Sequence, residues 1–202
     1  MRARSSTPTH WPSCASSSTC RCRPTVADAT ELVLRLLAPP DLPAYKALRD
    51  GLLAAHPEAF SSDAETERNR APETYLARVA GPGAQWPFTL AAWRGVQLAG
   101  AITCEREARL KTRHIAHVVG MMVHPDARGT GVGAALLDAC IERCRAQGDV
   151  EMLTLSVTSG NAPALRLYER AGFARYGRLE RAMRVGARYH AKDLMVLMLQ
   201  AE

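Results

Sequence analysis

The residues best suited to chemistry lie in one short stretch, Met121-Met122-Val123-His124-Pro125-Asp126-Ala127-Arg128-Gly129-Thr130-Gly131-Val132-Gly133. An apolar run stops there at a proline, turns through glycines and gives way to an amphipathic segment. Glycines at 129, 131 and 133 remove side chains where backbone N–H groups can converge on one point. A helix starting there adds roughly half a positive charge. The combination is an anion cradle suited to a pyrophosphate; the plainer alternative is a tight strand-to-helix turn with no ligand. A dinucleotide also presents a pyrophosphate, and Gly129, Gly131 and Ala134 satisfy GxGxxA. Against that reading, the turn follows the fourth expected strand of a hairpin-rich region. Glu151 moreover stands at the start of the next strand, where a ribose ligand does not belong. A nucleotide P-loop is excluded because no Gly-Lys-Ser/Thr ends the turn.

A second informative stretch is Asn161-Ala162-Pro163-Ala164-Leu165-Arg166-Leu167-Tyr168-Glu169-Arg170-Ala171-Gly172-Phe173. Asn161 is placed to cap a helix, and residues 161, 164, 165 and 168 share one face of it, so Asn161 and Tyr168 can address one ligand. Taken singly, a cap and a core tyrosine would explain them. Together the two stretches are similar to the hallmarks of the GNAT acyltransferases: Arg128, Gly131 and Gly133 match Arg/Gln-x-x-Gly-x-Gly/Ala after a strand ending in V-x-P, and Asn161, Tyr168 and Gly172-Phe173 match N-x(6)-Y-x-x-x-G-F. The resemblance runs from about residue 31 to 202 and is strongest from 113 to 180.

That resemblance implies acetyl-CoA as cosubstrate, with Arg128, Gly129, Thr130, Gly131, Val132 and Gly133 around the pyrophosphate. Backbone groups of Met121, Met122 and Val123 would lie along the pantetheine arm, with Asn161 and Tyr168 beside it. It implies direct acetyl transfer to a primary amine, of a small molecule or a protein, in a ternary complex. The attacking ammonium must then lose a proton and the coenzyme A thiolate gain one. Tyr168 takes the second task by resemblance. Where many relatives carry a glutamate as base, this chain has His117, an imidazole able to accept a proton near neutral pH; Glu105 and His114 are the reserves. An acyl-enzyme on Cys104 is disfavoured, since no His–Asp arrangement can be assigned beside it. The alternatives are a non-catalytic acyl-CoA-binding regulatory module and a nucleic-acid-binding protein.

The elements that must hold these residues read as strand (32–37), helix (41–55, capped by Asp41), a weaker helix (72–80), a strand hairpin (88–94 and 97–105), strand (113–123), helix (131–147), strand (152–157), helix (161–171) and two closing strands (173–179 and 188–199). This is a mixed α/β domain over 31–202. The resemblance makes its single sheet mostly antiparallel, with a splayed parallel pair at strands four and five and helices on its faces. Acceptor choice is expected to rest on 56–70 and on the Arg-rich 178–192 segment.

Residues 1–30 are rich in Ser, Thr, Pro, Cys and Arg, lack aliphatic periodicity and read as a disordered extension. Of the net charge of +6, these residues carry +3, so the domain has only a modest excess and no basic cluster. A nucleic-acid partner is thereby disfavoured. No apolar run reaches the roughly 20 residues of a membrane span. The six cysteines lack paired CxxC spacing and read as unlinked thiols of a reducing cytoplasm, with no metal site. Cys140 and Cys144 fall on the inward stripe of the 131–147 helix. The apolar Leu194–Leu199 run suggests a homodimer through the closing strands.

Overall fold

The computed structural model describes residues 31–79 and 85–199; the expected extension over 1–30 falls outside them. One sheet holds β1 (Leu32–Leu36), β2 (Phe88–Arg94), β3 (Gln97–Arg106), β4 (Ile115–Val123), β5 (Met152–Thr158), β6 (Ala174–Val185) and β7 (Arg188–Met198), in the order β1-β2-β3-β4-β5-β7-β6. All neighbours run antiparallel except β4 and β5. This is the mixed α/β arrangement expected.

The helices α1 (Leu42–Ala55), α3 (Val132–Ala146) and α4 (Ala162–Arg170) are joined by a five-residue α2 (Ala64–Arg68). α1 covers one face of the sheet: Leu42, Tyr45, Leu48 and Leu52 pack there against Ala91, Trp93, Ala101 and Met122. α3 and α4 cover the other, where Leu136, Leu137, Ile141 and Tyr168 meet Leu90, Ile102, Val118 and Leu153. Covered on both sides, β2 and β3 are buried almost end to end, which explains their near-continuous apolar sequence.

Three expectations need correction, and one element was not foreseen. Asp41 occupies the N-cap position of α1 as expected, but its side chain does not bond to the helix; its carboxylate accepts from the Ala38 N–H at 2.8 Å and pairs with Arg35. α2 was not foreseen, being too short to show periodicity. The weaker helix is a run of 3-10 turns over Pro72–Arg78, and the part of that expectation at residue 80 is outside the described residues. β6 continues past Leu179 to Val185, because its largely exposed, Arg-rich outer edge has no apolar alternation to mark it. The Leu194–Leu199 run lies largely in β7, an interior strand whose Met195 and Leu197 are in the core, so the core accounts for its apolarity.

Candidate active site

β4 and β5 are bonded only over Ile115–His117 and Met152–Thr154; beyond that they separate. A β-bulge contributes to the split. β4 uses three steps from Val119 to Met122 where β3 uses two, from Thr103 to Ala101. Gly120 supplies the turn, with φ of +58°, and a Cβ there would stand 2.7 Å from Arg78 Nη1. The extra residue also reverses which side chains face which layer. Val118 points to the α3 side before the bulge, and Met121 and Val123 do so after it.

The split opens into a cleft of ≈ 1350 Å³. Along it lie Met121, Met122 and Val123 from β4, Arg128, Gly129, Gly131 and Gly133 from the turn, and Asn161 and Tyr168 from α4. These residues, separated widely in sequence, are brought together. Met122 is 2% exposed, with its side chain in the α1-side core, so its backbone is what it can offer. Gly129 and Gly131 both have positive φ, and Gly131 is the left-handed residue from which α3 departs. No side chain caps that helix, and its first internal bond runs from Ala135 N–H to the Gly131 carbonyl. The N–H groups of the first turn are therefore left for a ligand or water.

Thr130 and Val132 do not line the cleft with their side chains. Val132 is fully buried in the core. The Thr130 hydroxyl donates to the Ala127 carbonyl at 2.8 Å and accepts from Arg94 Nη2 at 2.8 Å, so it ties the turn to the end of β2. Arg94 is a supporting residue that sequence reasoning missed, since nothing local marks a contact across 36 positions.

Asn161 caps α4 as expected: its Oδ1 accepts from the Ala164 N–H at 3.2 Å. This leaves its amide nitrogen as the donor available to the cleft. Tyr168 is 7% exposed, edge-on to Phe173 with ring centroids 5.9 Å apart. Burial, and secondarily the nearby Cys140 thiol, pushes its phenol up to about 12, so the hydroxyl keeps its proton throughout the neutral range.

His117 is set back from the cleft lining. Its Nδ1 lies 2.6 Å from Thr154 Oγ1 and its Nε2 2.9 Å from Glu107 Oε1. With the carboxylate accepting from Nε2–H, the other nitrogen becomes an acceptor for the Thr154 hydroxyl. Ser156, two residues along the same face of β5 and so about 7 Å away, does line the cleft. Glu107 was missed in the sequence, although it falls one strand repeat beyond Glu105, the register partner of His117. Glu105 lines a separate depression of ≈ 600 Å³ with Trp86, Arg106 and Arg113. His114 serves through its backbone carbonyl, which accepts from Glu151 and Met152 N–H.

At its other end the cleft is walled by His56, Glu58, Phe60, Ser61, Arg178 and Lys192, drawn from both segments expected to set acceptor choice. Two long-range bonds hold this wall to the sheet: Thr158 Oγ1 to the Glu58 carbonyl at 2.6 Å, and Lys192 Nζ to Ser61 Oγ at 2.6 Å. Burial lowers the Lys192 pKa. Within the Arg-rich hairpin, Arg178 pairs with Glu180, and Arg181 and Arg184 lie over the Tyr189 ring.

Fold and cleft together define a protein whose sheet splits into a long cleft beside an uncapped helix start. The model of the "Acetyltransferase (GNAT) family" matches residues 45–173. An acetyltransferase of the GNAT family from Streptococcus pneumoniae superposes with a TM-score of 0.71 at 26% identity, covering 83% of this chain and 99% of that one. A putative acetyltransferase from Salmonella typhimurium, solved with its cofactor acetyl-CoA, has the same fold, with a TM-score of 0.69 at 18% identity, 85% of this chain and 95% of that one. The chain is 33% identical over 133 residues to mycothiol acetyltransferase of Salinispora tropica, 66% of this chain and 41% of that protein. It is 44% identical over 57 residues to the L-methionine sulfoximine/L-methionine sulfone acetyltransferase of Pseudomonas aeruginosa, 28% of this chain and 33% of that protein. The matches thus span between a third and two-fifths of these curated relatives. The chain belongs to the GNAT acetyltransferase family.

Among the described residues no helix is long and apolar enough to cross a membrane.

Proposed function

We propose that the protein transfers the acetyl group of acetyl-CoA to a primary amine, of a small molecule or a protein, by direct attack within a ternary complex. The observation that carries this reading is the convergence of an uncapped helix start, the split between β4 and β5, and a buried, protonated tyrosine on one cleft. The residues present fit the cosubstrate: the left-handed Gly129 and Gly131 leave open space, with no atom within 4 Å of where a Cβ would be. Acetyl-CoA brings the activated acyl group as a thioester.

The chain's own residues divide the remaining work. The N–H groups of Val132, Gly133 and Ala134 and the Arg128 side chain would hold the pyrophosphate. Backbone groups of Met121–Val123, freed by the split, would pair with the pantetheine arm, and one N–H among them would polarise the thioester carbonyl. The Tyr168 hydroxyl would donate its proton to the departing thiolate. His117, oriented by Glu107, would draw the proton from the incoming ammonium through the Thr154 hydroxyl or a water in the Ser156 region. The acceptor would enter between 56–62 and the β6–β7 hairpin.

The test is calorimetric titration with acetyl-CoA of wild type and of Gly131→Val, followed by thiol-release assays over a panel of amines. Micromolar-range binding in wild type that is lost in a folded Gly131→Val, together with turnover of an amine, is the expected result. Binding without turnover of any amine would leave a non-catalytic acyl-CoA-binding module. Absence of binding by folded wild type would overturn the proposal.

A further inference from the structure

Three thiols outside the cleft converge in a way that packing does not require. Cys104 comes from β3, while Cys140 and Cys144 stand one turn apart on the inward face of α3. Their sulfurs all lie within 4.8 Å of one another, with Cys104 Sγ and Cys144 Sγ 3.7 Å apart. All three residues are fully buried. A core filled only for volume would scatter such side chains among its aliphatic ones; here three soft donors face a single point.

The surroundings supply a matching charge. Arg143, between the two helix cysteines, lays its guanidinium over the Phe88 ring at 4.9 Å, and its Nε is buried without a hydrogen-bond partner. The guanidinium thus stands on the residue adjoining Cys144, with one of its nitrogens in the protein interior.

We propose that Cys104, Cys140 and Cys144 form a binding site for a soft monovalent d10 cation, Cu(I), held by three sulfurs. Thiolate donors select Cu(I), zinc or iron–sulfur clusters. Structural zinc takes four ligands, and among the described residues no fourth His, Cys, Asp or Glu joins this group. Sulfurs at about 2.3 Å from a central ion stand roughly 4 Å from each other, so separations of 3.7 Å and up to 4.8 Å need only small adjustments. The charges also balance. Cu(I) with two thiolates and one neutral thiol is a monoanion, which the Arg143 guanidinium neutralises. Binding therefore releases two thiol protons, and no oxidant or reductant is consumed.

The experiment uses the full chain with Cys14, Cys20 and Cys22 each changed to Ser, so that thiols outside the described residues do not compete. The reduced protein is titrated anaerobically with Cu(I) held by a chromophoric bicinchoninate chelator. Proton release is followed, and X-ray absorption counts the sulfurs around the metal. The expected result is one equivalent of Cu(I) withdrawn per chain, two protons released and three sulfur neighbours. Cys104→Ala, Cys140→Ala and Cys144→Ala should each weaken retention by roughly 100-fold or more, with folding checked by thermal unfolding. No withdrawal of Cu(I) by the folded parent overturns the proposal. So does retention unchanged by Cys104→Ala, or a two-sulfur environment in the parent. The sulfur count on the parent decides the matter even if a variant fails to fold.

Discussion

Tyr168 and His117 differ in how the fold prepares them. Burial holds the Tyr168 proton in place, with the phenol pushed up to about 12, the state that the proposed acid role requires. His117 is half-exposed and owes its readiness to two neighbours, Thr154 and Glu107. Tyr168→Phe is expected to lower kcat by about 10²- to 10³-fold with little change in acetyl-CoA affinity, read by steady-state kinetics beside calorimetry. Glu107→Gln should lower kcat less, by about 10-fold, read by the same kinetics. An unchanged kcat would reduce Glu107 to a bystander. Tyr168 and Asn161 were legible because spacing along one helix puts them on one face. Glu107 and Arg94 were not, since each acts across a strand pairing or turn contact whose register the sequence does not state.

At the scale of elements, the bulge in β4 lies where β4 and β5 have parted, and it turns Met121 and Val123 toward α3 and α4. Gly120→Ala puts a Cβ on a backbone with φ of +58° and 2.7 Å from Arg78 Nη1. The expected cost is about 1–3 kcal/mol in denaturant unfolding, accompanied by a raised KM for acetyl-CoA. Gly51→Ala, on the exposed surface of α1 with nothing within 4 Å, should instead be neutral or stabilising. The bulge could not be read from Val118-Val119-Gly120-Met121, an apolar run that alternation alone continues straight through. The termini of β2 and β5 and the body of α3, by contrast, followed directly from turn residues and the inward stripe. The 72–78 segment was placed correctly but typed too simply, because Pro72 opens 3-10 turns as readily as an α-helix.

For the whole molecule, two buried phenols set an alkaline boundary. Tyr75, held by burial and by its hydrogen bond to Glu67, is also pushed up to about 12. The folded chain retains protons that the unfolded chain releases from about pH 10, so their contribution is fully present below pH 10 and is lost as pH rises toward 12. Urea midpoints are expected to fall between pH 9.5 and 11.5, with about 1.5–2 kcal/mol of the loss traceable to Tyr168 and absent in Tyr168→Phe. A midpoint that declines equally in the variant would remove Tyr168 from this account. The sheet order carries a different kind of consequence. β7 lies between β5 and β6, and among the described residues it is the only strand that borders β5 beyond Thr154. During synthesis, then, β1 to β4 can pair in succession as they leave the ribosome, whereas one wall of the cleft has no neighbour until residues 192–198 arrive. One flank of the cleft is therefore the last to find its partner, and a ribosome-stalled chain ending before β7 would leave β5 beyond Thr154 unpaired.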